Sequence, residues 1–394
     1  MITRVIHHGG NQWAIRQRLG LGDRPLLDVS VSLNPLGPPA RALEAAHRAL
    51  DRAGSYPEPG SPRLVATLAE KLGVSGDAIM VGSGTTEIIS LLAQVLRESL
   101  LREYGDEPVS HLVDPIYAEY RRSATLNGLA TTGWKQPALA WSTEFVPPNA
   151  SGIYWTGNPV SPIGHVWPSR DRFLAAIDAH PDLLFVVDEA YISFMADESE
   201  RTLVQAAPER SNLLVLRSVT KIFDIPGLRV GYAVGSPSLV ERLRQFQNPW
   251  SVDSASEAGL ISALGDTEYH QRTLELMGSQ ASWLCNALWD VPSIRPVWPS
   301  SERPASAPPL PNWVLVSLVD TAWTSTQLQD ELARRGVFAR ECSNFRGLEV
   351  GAVISGAGQE IQTRGHLRIA VRTAEDNQHV VQVLRTVIAT RPTA

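Results

Sequence analysis

Thiols are scarce in this chain. Its 394 residues hold two cysteines, Cys285 and Cys342, too few for a disulfide framework or a thiolate zinc site and in keeping with a reducing compartment. Basic charge is not in excess either. The 35 Lys and Arg stand against 41 Asp and Glu, a formal net charge of -6, which argues against a nucleic-acid partner. No stretch of about 18 apolar residues occurs, so no membrane span is expected. Met1 to Trp13 carries no apolar run. No secretory signal is therefore expected, and the chain is expected in the cytoplasm. The pair His7-His8 lacks a third ligand at metal-binding spacing, so no metal is expected. His165, His180, His270 and His379 are scattered and are expected at the surface.

What is present is ordinary for a globular protein: 43% hydrophobic and 19% charged residues. The length suits two domains, or one large and one smaller. Asp182 to Asp188 (DLLFVVD), Asn212 to Arg217 and Arg229 to Val234 read as buried strands. Thr86 to Tyr104, Ser169 to His180 and Ser238 to Gln247 have helical spacing. The alternation predicts an α/β fold, a mostly parallel sheet sandwiched by helices. Val291 to Pro311 is proline-rich and predicts a connection. Beyond it, Trp313 to Val319 and His366 to Arg372 read as strands, and Ser325 to Arg335 and Ala374 to Thr390 as helices. These predict a smaller α+β C-terminal domain. Gly347 to Gly365 has little apolar periodicity and predicts a mobile loop. Of the eleven tryptophans, Trp134, Trp141, Trp155 and Trp167 are expected in the core.

Three segments carry candidate chemistry. In LRSVTKIFDIPGLRVGY, Lys221 follows a strand, with Ser218 three residues before it and Arg229 eight after. A lysine that forms a Schiff base must be pre-positioned near cations that lower its pKa, and a hydroxyl with a guanidinium can grip a phosphate. The competing reading is a surface lysine in a turn. Asp188 ends an apolar strand, where open α/β sheets place ligands, and could keep a pyridine nitrogen protonated; the alternative is a helix N-cap. Tyr191 could bond a phenolic oxygen or belong to the core. Val81 to Glu87 (VGSGTTE) precedes a helix, and its glycines would let the backbone approach an anion at the helix N-terminus.

Together these pieces resemble the fold-type I pyridoxal-phosphate enzymes of the aminotransferase class. The likeness runs over nearly the whole chain: His8-Gly9-Gly10-Asn11, Ser32 to Gly37, Ser55-Tyr56-Pro57, the lysine segment and Leu367-Arg368-Ile369. The start and Asn248 to Val252 look most like the L-threonine-O-3-phosphate decarboxylase branch, with histidinol-phosphate aminotransferase as a near relative. The resemblance implies pyridoxal 5'-phosphate on Lys221 as a Schiff base, Asp188 at its ring nitrogen and Tyr191 at its phenolic oxygen. Ser83, Gly84, Thr85, Ser218 and Arg229 would hold its phosphate, and Tyr117 would stack on its ring. Arg368 would clamp the substrate carboxylate. Arg340, His8 and Asn34 would lie around the substrate, with Tyr56 reaching over from the other subunit of a homodimer. Trp250 is expected near the site. Residues 1–40 would form an arm on the small domain, 41–270 the large cofactor domain and 271–394 the small domain. One departure stands in Asn158 to Gly164: Ser161 occupies the place where the family has an asparagine for the phenolic oxygen, with Asn158 as the substitute. The implied reaction is decarboxylation of an amino acid phosphate, L-threonine O-3-phosphate to (R)-1-aminopropan-2-ol O-phosphate, in cobalamin biosynthesis. The alternatives are transamination of the histidinol-phosphate type and a non-catalytic effector-binding dimer.

Overall fold

The computed structural model describes residues 8–103, 109–135, 151–167, 169–297, 311–356 and 359–392. His7, Trp141 and the prolines between 299 and 309 lie outside them, as does the side chain of Trp134. The described strands are β1 (Leu27–Val29), β2 (Ile79–Gly82), β3 (Val109–Asp114), β4 (Ala130–Lys135), β5 (Gly152–Gly157), β6 (Leu183–Asp188), β7 (Leu213–Arg217) and β8 (Gly231–Gly235). They continue as β9 (Ile294–Pro296), β10 (Trp313–Leu318), β11 (Val337–Glu341), β12 (Val353–Gly356), β13 (Gln359–Gln362) and β14 (His366–Ala370).

Seven strands form one sheet in the order β2-β8-β7-β6-β5-β3-β4. Only β8 runs opposite to the other six. The apolar runs of β6 and β7 follow from burial on both faces. Leu183, Phe185 and Val187 enter one core cluster, whereas Leu184 and Val186 enter another. Successive strand side chains point to opposite sides, so a strand covered on both sides has no place for polar residues. Each such side chain contributes roughly 1.5–3 kcal/mol when fully buried. The helix Thr85–Glu103 lies on one face through Ile88, Ile89 and Leu92, with Ala118–Leu126 and Pro237–Phe246 beside it. The other face is covered by Pro62–Leu72, Arg170–Asp178, Ser254–Leu264 and the long Thr267–Trp289.

A second sheet has the order β1-β11-β14-β10-β9. Its first strand, β1, comes from the N-terminal segment and pairs parallel with β11. The helices Ser325–Arg334 and Ala374–Ile388 belong to this half. Thr324 starts the first with a reciprocal capping box to Gln327, and Thr373 caps the second at Asp376. The boundary expected at residue 270 falls in the first turn of Thr267–Trp289.

The segment expected as a mobile loop, Gly347 to Gly365, instead contains a two-stranded hairpin, β12 with β13, in antiparallel register. Bonds from Gly351 N to Thr363 O and from Thr363 N to Ala352 O extend it. Two strands of four residues are too short for an alternation to stand out among glycines. Trp155 is fully buried, as expected, and Trp167 packs at 4.2 Å on Phe173. Only His379 of the four scattered histidines is exposed; His165, His180 and His270 are half-buried. Among the described residues no helix is long and apolar enough to cross a membrane.

Candidate active site

Strands β2, β3, β5, β6 and β7 run the same way, so their C-terminal ends share one edge of the large sheet. Open α/β sheets place their ligands at that edge. A cavity of about 280 Å³ lies there. Gly157, Asp188, Ser218, Lys221 and the Gly84–Thr86 turn line its large-sheet side, with Ile116 and Tyr117 after β3. His8, Gly9, Val31, Arg340, Phe345 and Arg368 line it from the other half.

Lys221 sits in a single helical turn, Val219–Ile222, immediately after β7. Its Nζ donates to Ser218 Oγ at 2.7 Å. Burial pulls the ammonium down to about 8, helped by the charges of Arg229 and Arg368, while Asp188 acts the other way. Asp188 faces this lysine from the end of β6. Burial raises its carboxyl, and two donors, Tyr120 and the Ala190 N–H, oppose that rise together with the charge of Lys221. The Tyr120 hydroxyl donates to Asp188 Oδ2 at 2.6 Å and the Ala190 N–H to Oδ1 at 2.9 Å. Tyr120 stacks on Trp155 at 4.8 Å, and burial keeps its phenol protonated as a donor. Sequence reasoning missed Tyr120. The available signal was its position three residues after Tyr117, on the same side of a helix start.

The Gly82–Thr85 turn enters the helix Thr85–Glu103, whose first residues, Thr85 and Thr86, line the cavity and bring unpaired N–H groups to it. Gly84 has φ +77°, and a Cβ there would lie 2.6 Å from Arg229 Nη2. The glycine thus permits both the left-handed turn and the approach of the guanidinium. Arg229 lies two residues before β8, at the same sheet edge, with Nη1 fixed by Pro226 O at 2.9 Å. Helix N-terminus, hydroxyl and guanidinium together make an anion cradle.

Arg340 of β11 and Arg368 of β14 are cross-strand partners. Among the described residues neither makes an ion pair. Arg340 donates to Glu341 O and to Asn344 Oδ1 (2.9 Å) and lies over the Phe345 ring. The Glu341 carboxylate is turned away, to Ser325 and Ser343. Arg368 donates to Ser161 Oγ at 2.8 Å and Ser30 O at 3.2 Å, and lies over Trp313. Among the described residues its buried Nε has no hydrogen-bond partner. Tyr191 packs edge-on against Trp313 at 4.6 Å; burial raises its phenol, and the Arg368 charge opposes that rise.

The structure thus brings together His8, Gly84, Thr85, Tyr117, Ser161, Asp188, Tyr191, Ser218, Lys221, Arg229, Arg340 and Arg368 around one cavity. Other expected site residues lie elsewhere. Asn34 is buried away from the cavity; its amide donates to Ile222 O and Thr273 Oγ1, and its N–H to Lys221 O. Through the bonds to Lys221 O and Ile222 O it holds the lysine turn in place. Ser83 does not line the cavity, and its N–H goes to Glu87 Oε2 at 2.7 Å. Asn158 turns its side chain to Arg201 O and Trp167 N, so it is no substitute for the missing asparagine. Tyr56 is 82% exposed and lies tilted against Trp250, ring centres 4.9 Å apart; neither residue lines this chain's own cavity.

The family model of aminotransferase class I and II matches residues 24–384. The chain belongs to this family. It is a pyridoxal-phosphate-dependent enzyme of fold type I, which removes the expectation of a non-catalytic dimer. The cavity suits that cofactor: an anion cradle at one end, a lysine of lowered pKa in the middle and a carboxylate facing it. The enzyme is 31% identical over 381 residues to the histidinol-phosphate aminotransferase of Symbiobacterium thermophilum, covering 94% of this chain and 92% of that one. It is 28% identical over 390 residues to the threonine-phosphate decarboxylase of Salmonella typhimurium, covering 97% and 96%. A solved structure of histidinol-phosphate aminotransferase from Sinorhizobium meliloti, in complex with pyridoxal-5'-phosphate, superposes with a TM-score of 0.75. It shares 18% identity over 96% of this chain and 94% of the other.

Proposed function

We propose that this enzyme decarboxylates an amino acid phosphate, O-phospho-L-threonine, to (R)-1-aminopropan-2-ol O-phosphate. The observation that carries this is the pair Arg340 and Arg368, adjacent on neighbouring strands and without a carboxylate partner among the described residues. Among the described residues the cavity lining holds Lys221, Arg229, Arg340 and Arg368 against the single carboxylate of Asp188. A cofactor phosphate neutralises the Arg229 end. Two guanidiniums then remain for the substrate, which suits a molecule carrying both a carboxylate and a phosphate. Histidinol phosphate has no carboxylate.

Pyridoxal phosphate supplies, when bound, an electron sink for whichever substrate bond lies perpendicular to its ring. Lys221 holds the cofactor and is the proton carrier next to the reacting carbon. Asp188 keeps a proton on the ring nitrogen, and Tyr120 and Ala190 fix the carboxylate for that task. Tyr117 covers the ring, and Tyr191 serves the phenolic oxygen. Gly84, Thr85, Ser218 and Arg229 hold the phosphate. Ser161 steadies Arg368 rather than the phenolic oxygen, and Arg368 orients the carboxylate. Orientation decides the reaction, since each 1.36 kcal/mol is about tenfold in rate.

The site is completed in a homodimer. Leu43 and Leu50 lie two turns apart on one exposed side of the helix Ala40–Leu50, and Leu36, Tyr56 and Trp250 are exposed as well. Tyr56, which touches nothing in its own cavity, serves the second subunit's site. Transamination is the second reading. It is favoured by the 31% identity to a histidinol-phosphate aminotransferase and by the two carboxylates of a glutamate donor, which also suit two arginines.

The test is incubation of the holoenzyme with O-phospho-L-threonine and no amino acceptor. Carbon dioxide and 1-aminopropan-2-ol phosphate are expected in equal amounts. Amino transfer from histidinol phosphate to 2-oxoglutarate, with no carbon dioxide from phosphothreonine, would overturn the proposal in favour of the second reading.

A further inference from the structure

Ser83 and the segment Asn248 to Val252 stand out in the sequence, yet neither lines the cavity. Both meet at Glu87, which lies in the first turn of the helix Thr85–Glu103 and is also outside the cavity lining. The Ser83 N–H donates to Glu87 Oε2 at 2.7 Å. The Ser251 hydroxyl lies 2.7 Å from Oε1 and 2.9 Å from Oε2. Gln247 Nε2 donates to Val81 O at 2.8 Å and to Ser251 Oγ at 3.0 Å, and lies 3.3 Å from Glu87 Oε2. Gly82 makes room for this arrangement, since a Cβ there would lie 2.7 Å from Glu87 Oε2. The carboxylate thus ties together the end of β2, the start of the helix and the loop that follows the helix Pro237–Phe246.

We propose that Glu87 is a positioning residue for the cofactor phosphate, fixing the Gly82–Gly84 turn from behind the cavity wall so that the helix N-terminus meets the anion. Its charge does not serve that end, because a carboxylate near a phosphate repels it. Its lone pairs do. The Gly84 N–H is taken by Gly82 O at 2.7 Å, and the Glu87 N–H by Gly84 O at 3.3 Å. With the Ser83 N–H on Glu87, these donors are spent inside the turn. Thr85 and Thr86, both in the cavity lining, are left to present theirs to the phosphate. A carboxylate accepts at both oxygens, whereas a glutamine has one acceptor oxygen and brings two hydrogens of its own. Glutamine has the same shape but would set an NH2 against one of the converging donors, and the turn would lose an anchor.

The test measures the affinity of the apoprotein for pyridoxal phosphate and for pyridoxal, which lacks the phosphate, from the absorbance of the bound aldehyde. The ratio of the two affinities isolates the contribution of the phosphate, which a general loss of structure would not change. Glu87→Gln should lower the affinity for pyridoxal phosphate by about tenfold or more, the loss expected for a bond to a charged group, with pyridoxal affinity unchanged. Ser251→Ala keeps the carboxylate and removes one of its donors, so the same ratio should fall by a smaller factor, about threefold. An unchanged or raised ratio in Glu87→Gln would make the residue an ordinary part of the helix start and overturn the proposal. Should that variant not fold, an unchanged ratio in Ser251→Ala overturns it instead.

Discussion

At the residue scale the chemistry is concentrated in Lys221 and Asp188, and each has a measurable consequence. The lysine ammonium is pulled down to about 8 by burial and by Arg229 and Arg368. Capture of pyridoxal phosphate by the apoprotein should therefore rise with pH to half its maximum near 8, well below the range of a solvated lysine; a midpoint above 10 would contradict that environment. Asp188→Asn should leave the cofactor bound yet lower turnover by roughly a hundredfold or more, because the ring nitrogen loses its anionic partner. Wild-type turnover would refute the role. Tyr120→Phe removes a bond to a charged group, worth about 1.5–3 kcal/mol. The expected effect is a fall in kcat of about tenfold to a hundredfold, with KM little changed and a shifted pH profile of the cofactor band. Lys221 and Arg229 were legible because they share one short segment with Ser218, and Asp188 because it ends an unbroken apolar strand. Tyr120 was not, because its partner Asp188 is 68 residues away and only folding brings them to 2.6 Å.

At the element scale the junction of β2 with the helix Thr85–Glu103 is the sharpest case. Gly84→Ala must place a Cβ both at φ +77° and against Arg229. Cofactor affinity should fall by about fivefold or more, through backbone strain and displacement of the guanidinium; unchanged affinity would show that the turn does not hold the phosphate. Strands buried on both faces, such as β6 and β7, were readable from their unbroken apolar runs. Strand β1 was not, since three residues carry no period, nor was the β12–β13 hairpin. The fates of Asn34 and Asn158 were equally hidden. An amide that bonds backbone looks, in a motif, the same as one that bonds a ligand.

At the scale of the whole molecule, two imidazoles report on acid stability. Burial holds His366 and His165 down to about 4. A histidine depressed from its unfolded value of about 6.5 contributes stability that is present above that pH. The contribution is lost as pH falls through the folded value, because the unfolded chain takes up the proton first. For fully buried His366 the span corresponds to roughly 3 kcal/mol. Denaturant unfolding should show stability declining between pH 6.5 and 4, with a shallower decline in His366→Asn; equal slopes would contradict the assignment.

The most direct test of the central claim is borohydride reduction of the holoenzyme followed by peptide mass mapping. The pyridoxyl group should be found on Lys221, in the peptide after β7, and should be absent from Lys221→Ala. A label on any other lysine, or a holoenzyme that borohydride leaves unlabelled, would contradict the site described here.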